Sequence, residues 1–168
     1  SVSETAEMAD VDLSLVLLAG GLGSRFGGPK QLAPVGPAGE PLLVVTAQHA
    51  IDAGFGEFVV LTRTDLREEI TAAVASIDAP VHLVMQDEHG PPRAVPWGTA
   101  HAVAACAEVL KRPFGVANAD DYYGIPSFAV LADALRNSDE RTAVIVGFEL
   151  GATLSPHGGV ARAVCHAT

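Results

Sequence analysis

Cysteine is scarce in this chain: two among 168 residues. Two thiols make neither a disulfide framework nor a metal cluster, and a reducing, cytoplasmic setting is the default expectation. Basic residues are few as well, 10 Lys and Arg against 20 Asp and Glu, for a formal net charge of −10. That balance argues against nucleic acid as a partner. No apolar run approaches the roughly 20 residues of a membrane span, so no membrane partner is expected. The opening stretch, Ser1 to Asp12, is polar and acidic. It lacks the basic-then-apolar order of a signal peptide and is expected to be a flexible tail. No internal repeat, low-complexity tract or linker divides the remainder, so residues 13–168 are read as one domain. Hydrophobic residues make up 49% of the chain, which excludes disorder. A domain of this length buries on the order of two-thirds of its unfolded surface.

What the chain does have is a regular alternation of short apolar runs and helical patterns. Strands are expected at Leu13–Ala19, Glu57–Thr62, Val81–Met85, Pro113–Ala117 and Ala143–Phe148. Helices are expected at Pro41–Ala53, Asp65–Ser76, Thr99–Leu110 and Ser127–Leu135. Leu66, Ile70 and Val74 repeat at i, i+4 and i+8, one face of a helix. Cys106 falls in the alanine-rich third helix and reads as a small core residue. Strands alternating with helices imply a mostly parallel central sheet with helices on both faces, a Rossmann-like three-layer α/β/α fold. In such sheets ligands sit beyond the carboxyl ends of the strands. The loops after the first, third and fourth strands should therefore converge, and they carry the chain's unusual chemistry.

The first of these loops, Gly20 to Lys30, is rich in glycine and has no acid between Gly20 and Gln31. Successive backbone N–H groups in such a loop form a concave anion site. Arg25 and Lys30 add two positive charges, and a phosphate chain is the ligand this arrangement suits best. Two familiar phosphate loops fit poorly. Gly23 and Gly28 have Walker spacing, but Pro29 precedes Lys30 and Gln31 stands where a hydroxyl residue would hold magnesium. Gly21 and Gly23 match a dinucleotide fingerprint, but Phe26 takes the third glycine position, and Glu40 sits between Gly39 and Pro41 rather than at a strand end.

The loop after the third strand opens with Gln86, whose amide both donates and accepts and could read a nucleobase edge. A polar strand end is the alternative. Gly98 permits close approach to a flat ring, and Thr99 can cap the helix that follows. Trp97 could wall a pocket or anchor the loop. His101 falls inside the helix, where packing competes with catalysis. The fourth strand is followed by Asn118-Ala119-Asp120-Asp121-Tyr122-Tyr123-Gly124. Magnesium takes one or two carboxylates plus phosphate oxygens and water. Asp120, the first acid beyond the strand, is the candidate ligand, and Asp121 is expected to point elsewhere, towards the next helix N-terminus. Turn or capping roles are the alternative for both.

Leu18-Ala19-Gly20-Gly21-x-Gly23-Ser24-Arg25-Phe26-x-x-Pro29-Lys30 resembles the signature of the sugar-1-phosphate nucleotidylyltransferases, the nucleoside-diphosphate-sugar pyrophosphorylases. Gln86 with Gly98-Thr99-Ala100-His101-Ala102 is similar to their base-binding segment, and Asn118 to Gly124 to their metal-binding aspartate segment. Pro96-Trp97-Gly98-Thr99 with Asn118-Ala119-Asp120-Asp121 looks like a bacterial nucleotidyltransferase-like subgroup. The resemblance runs from Leu13 to Cys165 and implies a fold of the nucleotide-diphospho-sugar transferase type. It further implies that a nucleoside triphosphate and a sugar 1-phosphate are the partners, that Mg²⁺ is the cofactor, and that an NDP-sugar and pyrophosphate are the products. It assigns Arg25 and Lys30 to catalysis, Ala19, Gly20, Gly21, Gly23, Ser24, Gln86, Gly98 and Thr99 to nucleotide binding, and Asp120 to the metal. A homo-oligomer is compatible with it. The family's sugar-binding segment and its second metal-binding aspartate normally lie beyond Cys165, and Ser1 is not an initiator methionine. The chain is therefore expected to be a partial form, truncated at its C-terminal end, that binds nucleotide better than it turns over. A non-catalytic nucleotide-binding module of the same fold is a second reading. Transfer to a non-sugar phosphorylated acceptor is a third, and a nicotinamide dehydrogenase a distant fourth.

Overall fold

The computed structural model describes residues 13–21, 28–91, 98–154 and 163–166. Four parallel strands form one sheet in the order β3-β2-β1-β4. They are β1 (Ser14–Leu18), β2 (Glu57–Thr62), β3 (Val81–Met85) and β4 (Phe114–Asn118). The first strand is central and almost wholly buried, which is why it reads as an uninterrupted apolar run rather than an alternating one. Its register pairs Ser14 with Glu57 on one side and with Phe114 on the other.

The helices are α1 (Leu42–Asp52), α2 (Arg67–Val74), α3 (Thr99–Ala105) and α4 (Ile125–Arg136). Because strand side chains alternate, β1 feeds two cores. Leu13, Leu15, Leu17 and Ala19 pack with Leu43 and Ala47 of α1, Ile70 of α2 and Phe128 of α4. Val16 packs with Val59, Leu61, Ala102 and Cys106, so α3 covers the opposite face. The expected three-layer α/β/α architecture with a parallel sheet is what the chain adopts. Small residues on α3 allow it to lie close on the sheet. Cys106 is fully buried, and burial pushes its thiol up to about 11, consistent with its core reading.

Three sequence expectations change. The second helix opens with a separate 3-10 turn at Thr64–Leu66, and the third ends at Ala105 instead of Leu110. The fifth strand, Ala143–Phe148, is not formed; the segment is extended but unpaired, with Ile145 79% exposed. Pro113 and Ala119 direct their backbone groups to β1, so Phe114, Val116 and Asn118 turn theirs outward by alternation. Beyond that edge lies a cavity of about 960 Å³, walled by Phe114 and Val116 on one side and Val144, Ile145 and Val146 on the other. Strands bond at a separation of about 4.8 Å, and across this gap 143–148 makes no ladder with β4.

At the opposite end of the sheet, buried Ser14 donates its hydroxyl to Glu57 Oε2 at 2.5 Å, while Glu57 Oε1 lies 3.3 Å from His82 Nε2. These contacts join β1, β2 and β3 near their amino ends. The Ser14 hydroxyl, more than the His82 contact, holds the Glu57 carboxyl below its ordinary value of 4.5, against the opposing effect of burial. A depressed carboxyl contributes stability that is complete above the unfolded value and is lost as pH falls through the folded one. Ser14→Ala should therefore cost about 2 kcal/mol at pH 7, and the deficit should shrink below pH 4.5. Urea melts of both proteins at pH 7 and pH 3.5 test this; a deficit independent of pH would contradict the assignment.

Candidate functional site

All four strands point the same way, so their carboxyl ends share one edge, and the chain's polar singularities collect there. The first strand ends at Ala19, whose amide donates to the Leu61 carbonyl at 2.7 Å. The Ala19 carbonyl accepts from Gln31 Nε2 at 2.8 Å and from Thr62 Oγ1 at 3.5 Å. Gly20 follows in a crowded place. A Cβ there would stand 2.9 Å from Gln86 Oε1 and 3.7 Å from Arg63 Cγ. Glycine leaves room here for the amide of Gln86, 8% exposed just beyond β3, which a Cβ would have to displace. Gly21 is exposed with open space around it. Gly23, Ser24, Arg25 and Trp97 lie outside the described residues.

The loop returns through Pro29 into a 3-10 turn, Lys30–Leu32. Gln31 in that turn is buried, 2% exposed, and its bond to Ala19 ties the returning chain to the end of β1. The next ten residues form a tight hairpin-like loop. Val35 and Gly36 both donate to the Glu40 carbonyl at 3.0 Å, Ala38 donates to the Glu40 carboxylate at 2.9 Å, and Leu42 closes it on Ala33 at 3.0 Å.

At the end of β4, the Asn118 amide donates to the Tyr123 hydroxyl at 2.9 Å, and the Asn118 side chain donates to Asp121 Oδ2 at 3.1 Å. Asp121 Oδ1 lies 3.9 Å from Lys30 Nζ; both groups are about half exposed, so the attraction is weak. Asp120 is half-buried, and its carboxylate has no hydrogen-bond or ion-pair partner among the described residues. Lys30 and Asp120 line one recess of about 410 Å³, bounded by the 33–41 loop and α1. The Tyr123 phenol is held above its ordinary range chiefly by burial, against the opposing Asn118 amide and with smaller contributions from the charges of Asp121 and Asp120.

The sequence expectation thus brings together Ala19, Gly20 and Gln86 in one cluster and Lys30 and Asp120 in another, at the same sheet edge. Gly98 has φ 104° and is itself the N-cap of α3, a conformation that favours glycine; Thr99 is the first helical residue and makes no capping bond, contrary to expectation. Asp121 does not reach α4, whose N-cap is Gly124 without a side-chain cap; it is engaged by Asn118 and Lys30 instead. A divalent hard cation fits Asp120, since magnesium asks for one or two protein carboxylates and takes its other oxygens from phosphate and water. Among the described residues no group of three or more His, Cys, Asp or Glu converges on a point.

Two residues escaped sequence reading. Gln31 looked like a missing hydroxyl rather than a tether. Arg63 follows β2 beside Gly20 and is clamped by Asp65 at 2.9 Å, while its Nη1 is buried without a hydrogen-bond partner among the described residues. The Asp65 bond raises its already high pKa. A cation at the carboxyl end of a parallel strand is a readable signal, but only the loops after the other three strands had been considered.

Residues 15–149 match the family model described as MobA-like NTP transferase domain. No curated protein matches the chain. Among solved structures, a UDP-glucose pyrophosphorylase complexed with UDP-glucose superposes with a TM-score of 0.55 at 18% identity, covering 75% of this chain and 54% of that one. The UTP-bound UGPase of Acinetobacter baumannii gives 0.56 at 21%, covering 76% and 53%. Rv0371c from Mycobacterium tuberculosis H37Rv gives 0.54 at 25%, covering 76% and 62%. These likenesses carry the fold, and the chain spans little more than half the length of the first two.

Gln31→Leu keeps the side-chain volume but deletes the bond to Ala19. It should lower unfolding free energy by about 1–2 kcal/mol, read as a lower urea midpoint at unchanged m. An unchanged midpoint would show that the tether carries no stability.

Proposed function

Since the chain belongs to the family of MobA-like NTP transferase domains, we propose that its carboxyl-edge site transfers a nucleotidyl group from a nucleoside triphosphate to a sugar 1-phosphate. The observation that carries this reading is the shared recess of Lys30 and Asp120, with the Gly20–Gln86 contact at the same edge. In the reaction, an oxygen of the acceptor phosphate forms a bond to the α-phosphorus. The bond from the α-phosphorus to the β-bridging oxygen breaks, and pyrophosphate leaves with the electron pair. Such transfers depend on positioning and charge neutralisation. A phosphate oxygen is already a nucleophile, so no general base is required.

The roles follow from the chemistry of the residues and from the motif that carries them. Backbone N–H groups of Gly20, Gly21 and Gly23, with Ser24, hold the triphosphate, while Ala19, whose amide is engaged by the Leu61 carbonyl, sets where that loop begins. Lys30 contacts phosphate oxygens near the reacting centre, and Arg25 balances charge on the departing pyrophosphate. Gln86 and the side-chain-free backbone of Gly98 and Thr99 receive the base. Asp120 holds Mg²⁺, which supplies neutralisation of phosphate charge when bound. The nearness of the Gln86 amide to Gly20, at the start of the phosphate loop, supports base reading.

Two of the superposed proteins are described with UDP-glucose or UTP, so UTP and glucose 1-phosphate are the first substrates to try. In titration calorimetry of UTP, dTTP, CTP and GTP, at least one nucleotide should bind in the presence of Mg²⁺ and bind at least tenfold more weakly without it. Asp120→Asn should abolish that metal dependence, and Lys30→Met should weaken binding about tenfold, equivalent to about 1.4 kcal/mol. Absence of binding by all four nucleotides with Mg²⁺ would overturn the proposal.

A further inference from the structure

We propose that Asp87 is a positioning residue: by holding the Thr64 amide it fixes where the backbone of Gln86 stands relative to Gly20, and so acts on base recognition through Gln86. The inference rests on the nucleotidyl-transfer reading and adds to it the device that places the base reader. The last paired residues of β2 and β3 are Thr62 and Met85. Beyond them the ladder stops, and each segment enters a 3-10 turn, Thr64–Leu66 and Gln86–Glu88. Continued in the same register, Arg63 falls opposite Gln86 and Thr64 opposite Asp87. The Asp87 carboxylate accepts from the Thr64 amide, at 3.0 Å to Oδ1 and 3.3 Å to Oδ2. A side chain thus carries the connection past the point where the backbone ladder ends. An ionised carboxylate holds an amide more strongly than a neutral oxygen does.

The two residues so joined are the neighbours of the pair that flanks Gly20. Thr64 follows Arg63 and Asp87 follows Gln86, and a Cβ on Gly20 would stand 2.9 Å from Gln86 Oε1 and 3.7 Å from Arg63 Cγ. Arg63 is tied in turn to Asp65, through Nε at 2.9 Å and Nη2 at 2.5 Å, and Asp87 adds attraction for the same guanidinium. A second link, Arg67 Nη2 to Glu88 Oε1 at 2.7 Å, joins the same two turns. Thr64, Arg67, Asp87 and Glu88 are all exposed. Exposed charges add little to global stability, and the buried part of the β2–β3 ladder already holds the sheet. What these contacts set is local: the separation of the Gln86 turn from the Arg63 turn, and with it the room beside Gly20. A binding group displaced by about 1 Å loses much of its function. Asp87 is the decisive member, because it adjoins Gln86 directly and grips backbone rather than another long side chain.

The test titrates the chain as it stands with the best-binding of the four nucleotides and, separately, with inorganic tripolyphosphate, both with Mg²⁺. Asp87→Ala should weaken the nucleotide at least fivefold and tripolyphosphate less than twofold, since the loop that holds phosphate is untouched. Thr64→Pro deletes the same N–H at the first position of a helical turn, where proline is tolerated, and should reproduce that split. Asp87→Asn keeps an oxygen for the Thr64 amide and should restore nucleotide affinity to within twofold of the parent. In a Gln86→Ala background, Asp87→Ala should change nucleotide affinity less than twofold, because the group it works through is gone. Indifference of nucleotide affinity to Asp87→Ala and Thr64→Pro, an equal loss for tripolyphosphate, failure of Asp87→Asn to rescue, or an undiminished loss without Gln86 each overturns the assignment. A nucleotide-free measurement separates it from the reading beneath it. In ¹⁵N NMR spectra of the free protein, the Thr64 and Gln86 backbone amides should shift in Asp87→Ala and return in Asp87→Asn. Unmoved amide signals strike the Asp87 link, whereas a parent that binds no nucleotide strikes the nucleotidyl-transfer reading itself.

Discussion

The central strand can be buried on both faces only because both of its edges are hydrogen-bonded, to β2 and to β4, in parallel. A buried backbone must have its N–H and C=O groups paired, and this pairing fixes the direction of every element around it. Parallel neighbours demand crossovers, and the crossovers supply the helices that cover the two faces. One face receives α1, α2 and α4; the other receives α3. Where the central strand runs out, at Ala19, the pairing is finished by side chains: Gln31 and Thr62 both turn to its carbonyl. The polar edge of the sheet begins there.

That edge solves an electrostatic problem for a chain with a net charge of −10. Its cations are not equivalent. Arg63 is held in a two-point clamp by Asp65, with Asp87 also contributing attraction, so much of its charge is answered within the protein. Among the described residues, Lys30 has a single long, half-exposed contact, with Asp121. Asp120, next in sequence, has no partner among the described residues. Among the described residues of this edge, the less engaged cation and the unengaged carboxylate thus line the same recess. Opposite charges so placed but not spent on each other suit a ligand that brings both anionic oxygens and a metal. The hairpin-like loop at 33–41 and the Tyr123 hydroxyl hold their supporting backbone in place.

Much of this was legible from residues. Leu13, Leu15, Leu17 and Ala19 mark a strand, Leu66, Ile70 and Val74 a helix face, and the strand–helix alternation a parallel sheet. The loop from Gly20 was readable as an anion site, but not that the Gln86 amide, from beyond a strand two places away in the sheet, stands against Gly20. Ala143–Phe148 carried an equally good strand pattern and failed, because an apolar β-prone run expresses local preference while pairing needs a partner at bonding distance. The end of α3 at Ala105 shows the same limit: alanine propensity would continue the helix, yet the chain turns at Cys106. Thr99 had the chemistry of a cap but sits one position too late, since Gly98 occupies the cap with a φ that threonine would avoid.

By itself, the sequence determined the layer order, the identity of the buried strand and the set of loops that meet, because periodicity, glycine placement and charge are local properties. Tertiary structure alone decided which of the two adjacent aspartates stays unengaged, that Gln31 rather than a hydroxyl residue secures the loop, and that Arg63 joins the edge. It also decided that β4 keeps an open side beside a cavity of about 960 Å³. Each of these depends on a distance between residues far apart in the chain, and a hydrogen bond or an ion pair has no signature until folding brings its two ends together.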